Sequence, residues 1–79
     1  MDLSDNRITD IQPLENMANL TKLNICTNRI ADIHTIQHLV NITDLDLHNN
    51  KIWNIQPLNH IHNLKILDLS ENPVKENDL

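Results

Sequence analysis

The chain has 79 residues and a net charge of −5, from six basic and eleven acidic side chains. One domain of that size buries only about 60% of its unfolded surface, so marginal stability is expected. The acidic balance and a single aromatic residue, Trp53, argue against nucleic-acid binding; no apolar run is long enough to cross a membrane, and the one cysteine, Cys26, cannot form an internal disulfide.

Self-similarity organises the chain. Asn6, Asn28, Asn50 and Asn72 recur every 22 residues. Apolar residues keep step with them. Five before each Asn stand Met1, Leu23, Leu45 and Leu67, and three before stand Leu3, Ile25, Leu47 and Leu69. Two after stand Ile8, Ile30, Ile52 and Val74. Further slots hold Ile11, Ile33 and Ile55; Leu14, Ile36 and Leu58; Met17, Leu39 and Ile61; and Leu20, Ile42 and Leu64. The pattern divides the chain into 1–19 (partial), 20–41, 42–63 and 64–79 (partial), one repeat segment over 1–79.

Within each turn the elements follow in order. Leu23-Asn24-Ile25, Leu45-Asp46-Leu47 and Leu67-Asp68-Leu69 alternate apolar and polar, as short half-buried strands do. Such strands are too short to stand alone and are expected to stack in parallel. Ile30, Ile33, Ile36, Leu39 and Ile42 then recur at threes, which fits a 3₁₀ or extended return path better than an α-helix. Pro13 and Pro57 are placed to open short helical turns there. The Asn that ends each strand offers both a donor and an acceptor to the backbone of a sharp turn, so Asn6, Asn28, Asn50 and Asn72 are expected to form a stacked ladder.

Leu20-x-x-Leu23-x-Ile25-x-x-Asn28-x-Ile30 resembles the leucine-rich-repeat signature. The 22-residue length is similar to the subtype shared by phosphatase-1 regulatory subunits and bacterial internalins, and Asp10-Ile11-Gln12-Pro13-Leu14 and Asn54-Ile55-Gln56-Pro57-Leu58 look most like internalin repeats. The resemblance implies an α/β right-handed solenoid with parallel strands on the concave face and 3₁₀ or extended segments on the convex face. It also implies protein–protein recognition by the concave face.

The outward strand positions are the binding candidates: Asp2, Asn24, Asp46 and Asp68 in a central column, Asp44 on one flank and His48 on the other. Aspartate disfavours strands and like charges on neighbouring strands repel, so a basic protein partner would account for the column. The competing reading is a solvated face eased by Arg7, Arg29 and Lys51. Trp53 is the other candidate, because its equivalents Thr9 and Ala31 show that the slot does not require an apolar side chain; it serves as an interface anchor or lies flat on its neighbours.

Several motifs carry less. His38, His60 and His62 could meet on neighbouring turns, but zinc sites want four ligands, so no metal or cofactor is expected. No catalytic arrangement has a pocket, and with no Gly there is no phosphate loop, so the chain is not read as an enzyme. Asn19-Leu20-Thr21 and Asn41-Ile42-Thr43 have the form of glycosylation sequons, yet Asn63-Leu64-Lys65 keeps the Asn without the sequon, which points to a turn residue. The N-terminus has no signal-peptide pattern, which leans towards a cytoplasmic protein. Met1 enters in mid-repeat, so end-to-end self-association or poor folding of the isolated chain is expected, with Pro73 as a modest C-terminal finish. The expected function is a protein-interaction module; the alternative is a spacer in a longer array with no ligand of its own.

Overall fold

The computed structural model describes residues 1–75. Short 3₁₀ helices and strands alternate along it: η1 (Gln12–Leu14), β1 (Lys22–Asn24), η2 (His34–His38), β2 (Asp44–Asp46), η3 (Gln56–His60) and β3 (Ile66–Asp68). The strands form one open parallel sheet in the order β1-β2-β3. Leu23, Leu45 and Leu67 stand opposite one another, so every strand pairs with the same slot of the next turn. An isolated parallel bridge between Asp2 and Asn24 adds the first turn to the edge.

The strands begin one residue earlier than the alternation of side chains suggested. Thr43 N–H and Asp44 N–H both donate to the Thr21 carbonyl, at 2.8 and 3.2 Å, and Lys65 and Ile66 repeat the arrangement on Thr43. These bonds open the ladder before the first inward leucine.

The return path is built by the apolar residues themselves. Ile36 N–H donates to Ile33, Leu39 to Ile36 and Ile42 to Leu39, at 2.9, 2.9 and 3.2 Å. An i→i+3 bond gives three residues per turn, so side chains spaced by three all point one way. Here that way is inward: Ile30, Ile33, Ile36, Leu39 and Ile42 are all buried. Pro13 and Pro57 lie in the first turns of η1 and η3, where a missing N–H costs nothing. Thr35 takes their place in η2; it is buried, and its hydroxyl has no partner.

Before each ladder asparagine the chain turns through a left-handed residue: Asp5, Thr27, Asn49 and Glu71, with φ of 58°, 56°, 59° and 58°. No glycine serves this turn, because the chain has none.

Burial within a single slot measures what stacking supplies. Leu23 and Leu45 in the middle turns are 2% and 1% exposed, whereas Met1 and Leu67 in the same slot are 46% and 41% exposed. The side chains are alike; the difference is a neighbouring turn on one side only.

Pro73 does not close the array in the manner its chemistry suggested. In its equivalents, Arg29 N–H donates back to the Ile8 carbonyl and Lys51 N–H back to that of Ile30. A proline there forfeits a bond to the preceding turn and leaves the groups that face onward untouched. The rest of the polar tail, from Glu76 to Leu79, lies outside the described residues.

Candidate protein-interaction face

The ladder asparagines fix the strand ends. Asn50 is 4% exposed, and its Nδ2 donates to the carbonyls of Leu47 and His48 in its own turn and of Ile25 in the preceding one, at 3.1, 3.4 and 3.0 Å. Its Oδ1 accepts the Ile30 N–H at 3.1 Å. Asn28 makes the same four contacts, with Ile25, Cys26, Leu3 and Ile8. Asn72 makes them with Leu69, Ser70, Leu47 and Ile52. Asn6 bonds only within its own turn, to Leu3 and Ser4.

The sheet face stands on this frame. Lys22, Asn24, Asp44, Asp46, Ile66 and Asp68 line a shallow open groove along it, with Met1 at one end. Inward and outward side chains alternate on a strand, so the leucines between these residues supply the core. Asn24, Asp44 and Asp46 are half-buried, while Lys22, Ile66 and Asp68 are exposed. Asp2 extends the central column beside Asn24.

That column has a local use that its spacing did not disclose. The Oδ1 of Asn24 accepts the Cys26 N–H, that of Asp46 the His48 N–H, and that of Asp68 the Ser70 N–H, at 3.1, 3.0 and 2.9 Å. Asp2 does the same for Ser4. Each is a carboxylate or amide closing a turn onto the residue two ahead, which is a common task of these side chains. The Ser4 hydroxyl and N–H hold Asp2 below the ordinary carboxylate range, and the Ser70 hydroxyl and N–H do so for Asp68. Asp10, Asp32 and Asn54 form a second such column, each accepting the N–H that opens a 3₁₀ helix. The signal for both was a short polar residue two positions before a turn.

The expected relief from basic neighbours does not take the form of ion pairs. Among the described residues the ion pair found is that of His34 with Asp32, at 2.9 Å, away from the sheet face. Arg7, Arg29 and Lys51 make none with the Asp column. His48 lies beside the column, half-buried, with its Nδ1 2.7 Å from the Ser70 hydroxyl.

Trp53 does not join this face. It is 49% exposed and lines a separate depression with Ala31, Asp32, His34, Asn54 and Pro57. The Lys75 ammonium sits 4.9 Å from its ring centroid, a cation–π distance. Ile66, which the repeat places on the outward flank with Lys22 and Asp44 but which was not among the chosen site residues, is 62% exposed at the β3 end of that column. An aliphatic side chain in an outward strand slot was the available signal.

Among the described residues no group of three His, Cys, Asp or Glu side chains converges as a metal site. Asn41 donates its Nδ2 to the Ala18 carbonyl of the preceding turn at 2.7 Å, a turn-to-turn bond at the sequon position.

The family model for leucine-rich repeats in two copies matches residues 1–39 and 40–79. No curated protein matches the chain. Among solved structures, internalin C2 from Listeria monocytogenes str. 4b F2365 superposes with a TM-score of 0.89 at 35% identity, over 95% of this chain and 33% of that one. An internalin (inlF) from the same strain gives 0.88 at 36%, over 95% of this chain and 22% of that one. The chain thus spans a third or less of the length of these internalins. Parallel strands in an open sheet, 3₁₀ return segments, an Asn at every strand end and a family model over the whole length lead to one conclusion: this chain belongs to the leucine-rich-repeat family, with internalin-like repeats.

Proposed function

We propose that the chain is a protein-interaction module whose sheet face binds a protein segment presenting a basic side chain beside an apolar one. Leucine-rich repeats are in general protein-interaction modules and typically non-enzymatic, which supplies the class. The observation that carries the finer reading is Asn24. The turn at the end of each strand needs only an Oδ1 acceptor, and Asn24 provides it as well as aspartate does. The turn can therefore close without the charge that Asp2, Asp46 and Asp68 bring to it. Among the described residues Asp44 accepts no such bond, so its carboxylate has no turn to close. Beside Asp44, and on the same strand as Asp68, stands Ile66, an aliphatic side chain left mostly in water. Acidic groups next to an exposed apolar side chain complement a partner of opposite sign that buries one hydrophobic side chain.

A spacer role is favoured by the Asx bonds, which give the column a use without any ligand. The two readings separate on conservative variants. Asp46→Asn and Asp68→Asn keep the Oδ1 acceptor and remove the charge. Backbone amide shifts of the chain would be followed by NMR against short peptides carrying Arg-Leu or Lys-Leu pairs. Shifts centred on Asp44, Asp46 and Ile66 that weaken with salt and vanish in the double variant, which still melts cooperatively, support binding. Peptides that leave the sheet-face amides unmoved at low salt sink it.

A further inference from the structure

Trp53 is out of keeping with its slot. The equivalent residues are Thr9 and Ala31 on the turns before it and Lys75 on the turn after. The core does not call for an indole there: Ile52, Leu58 and Ile61 are the buried side chains of its turn, and Trp53 is 49% exposed. A large side chain beside the small Ala31 leaves a step between the two turns. That step is the depression lined by Ala31, Asp32, His34, Trp53 and Pro57, with the buried Ile33 at its base. It lies between the second and third turns, each of which has a turn on either side, so its shape comes from the array's interior.

Two chemistries meet in it. The first is the ring. The Lys75 ammonium lies 4.9 Å from the centroid, so this indole already holds a cation. Lys75 belongs to the following turn and does not line the depression, which opens towards the preceding one. The second is Asp32. Its Oδ1 accepts the His34 N–H at 2.9 Å and lies 2.9 Å from the His34 Nδ1. The His34 N–H and ring together hold this carboxyl below the ordinary range, and thus charged. Its Oδ2 has no partner among the described residues, and neither Lys nor Arg lines the depression. An aromatic face, a charged oxygen and an aliphatic base suit one cationic side chain. A planar guanidinium can lie flat on an indole while its edge N–H groups reach a carboxylate; an ammonium is a compact, strongly hydrated charge and does this less well.

We infer that the depression between the second and third turns binds an arginine side chain of a partner protein, with the guanidinium stacked on Trp53 and hydrogen-bonded to Asp32. Tryptophan and arginine are both favoured anchors of protein interfaces. The contact is separate from the sheet face and does not depend on what binds there.

Trp53 is the chain's one aromatic residue, so its fluorescence reports this site alone. The probes are N-acetyl-arginine amide and its lysine and citrulline counterparts. Arginine should change the emission saturably at millimolar concentration. Lysine should bind several-fold more weakly, and citrulline, which has the same outline without the charge, should give no saturable change. Asp32→Asn keeps the Oδ1 that accepts the His34 N–H and should weaken arginine binding about fivefold, the upper end for an ion pair open to water. Ala31→Leu should fill the depression and abolish saturation, in a slot that already admits Thr9 and Trp53. Both variants should melt cooperatively. The Asp46→Asn, Asp68→Asn double variant should leave the response unchanged, which sets this site apart from the sheet face. A response to lysine or citrulline equal to that of arginine overturns the proposal. So does an arginine response that never saturates, or one that Asp32→Asn and Ala31→Leu both leave intact.

Discussion

The amide of Asn50 lies 3.0 Å from the carbonyl of Ile25, twenty-five residues earlier in the chain, and both groups are buried. One side chain thereby closes its own turn and stitches it to the turn before. Asn50→Ala would strand the buried Ile30 N–H and remove one of the two side-chain bonds that the Ile25 and Leu47 carbonyls accept, leaving them those from Asn28 and Asn72. At about 1–3 kcal/mol for the unpaired N–H, with the lost carbonyl bonds added, the loss should be about 3 kcal/mol. Asn6→Ala should cost about 1 kcal/mol, since Asn6 is exposed and bonds only within its turn. Urea melts of the two variants, side by side, check the contrast; equal losses would contradict it.

Thr27 holds a φ of 56°, where a β-branched side chain crowds the backbone. Asn49 fills the same place one turn on with a residue that tolerates it better. Thr27→Asn should raise stability by about 1 kcal/mol, because the Thr27 N–H bond to the His48 carbonyl involves no side chain. A thermal melt that falls instead would show the threonine side chain to be making a contact worth more than the strain.

The Thr35 hydroxyl is buried without a partner, in the slot that Pro13 and Pro57 fill elsewhere. Thr35→Val keeps the shape and removes the polar atom. A gain of about 1 kcal/mol is expected in chemical denaturation. No change would mean that water reaches the hydroxyl.

The Ser70 hydroxyl, with the Ser70 N–H, lowers the pKa of Asp68 below its ordinary value. A carboxylate depressed in the folded state binds protons there less readily than in the unfolded chain. Its contribution is thus present above the unfolded pKa, near 3.9, and is lost as pH falls through the folded value. Ser70→Ala removes the larger of the two donors and should move Asp68 upward towards the ordinary range, read by carboxyl-carbon NMR titration. Ser4→Ala should do the same for Asp2. Titration curves that do not move would assign the shift to the backbone amide alone.

The repeat was legible because every turn must present the same rungs to its neighbours: a polar residue at Leu23, Leu45 or Ile36 would leave a hole in two interfaces at once. The period of three in Ile33, Ile36 and Leu39 likewise announced the 3₁₀ bonds that those residues form. The Asx turns at Asp46 and Asp68 were not legible, since a short polar residue in an outward slot reads the same whether it faces water or bonds the amide two ahead. The direction of Trp53 was hidden too: Thr9 and Ala31 show that its slot is permissive, not where it points. Nor does a slot's identity tell whether a neighbour is present, which is why Met1 and Leu23 share a place in the pattern and differ so widely in burial.

The ladder asparagines all reach backwards. Asn28 joins Leu3 and Ile8, Asn50 joins Ile25 and Ile30, and Asn72 joins Leu47 and Ile52, so the partners of each are earlier in the chain. A polypeptide leaving the ribosome N-terminus first always has those acceptors and donors ready when the next asparagine emerges. Each coil of the array can therefore be fastened on arrival, and no side-chain stitch has to wait for sequence not yet made.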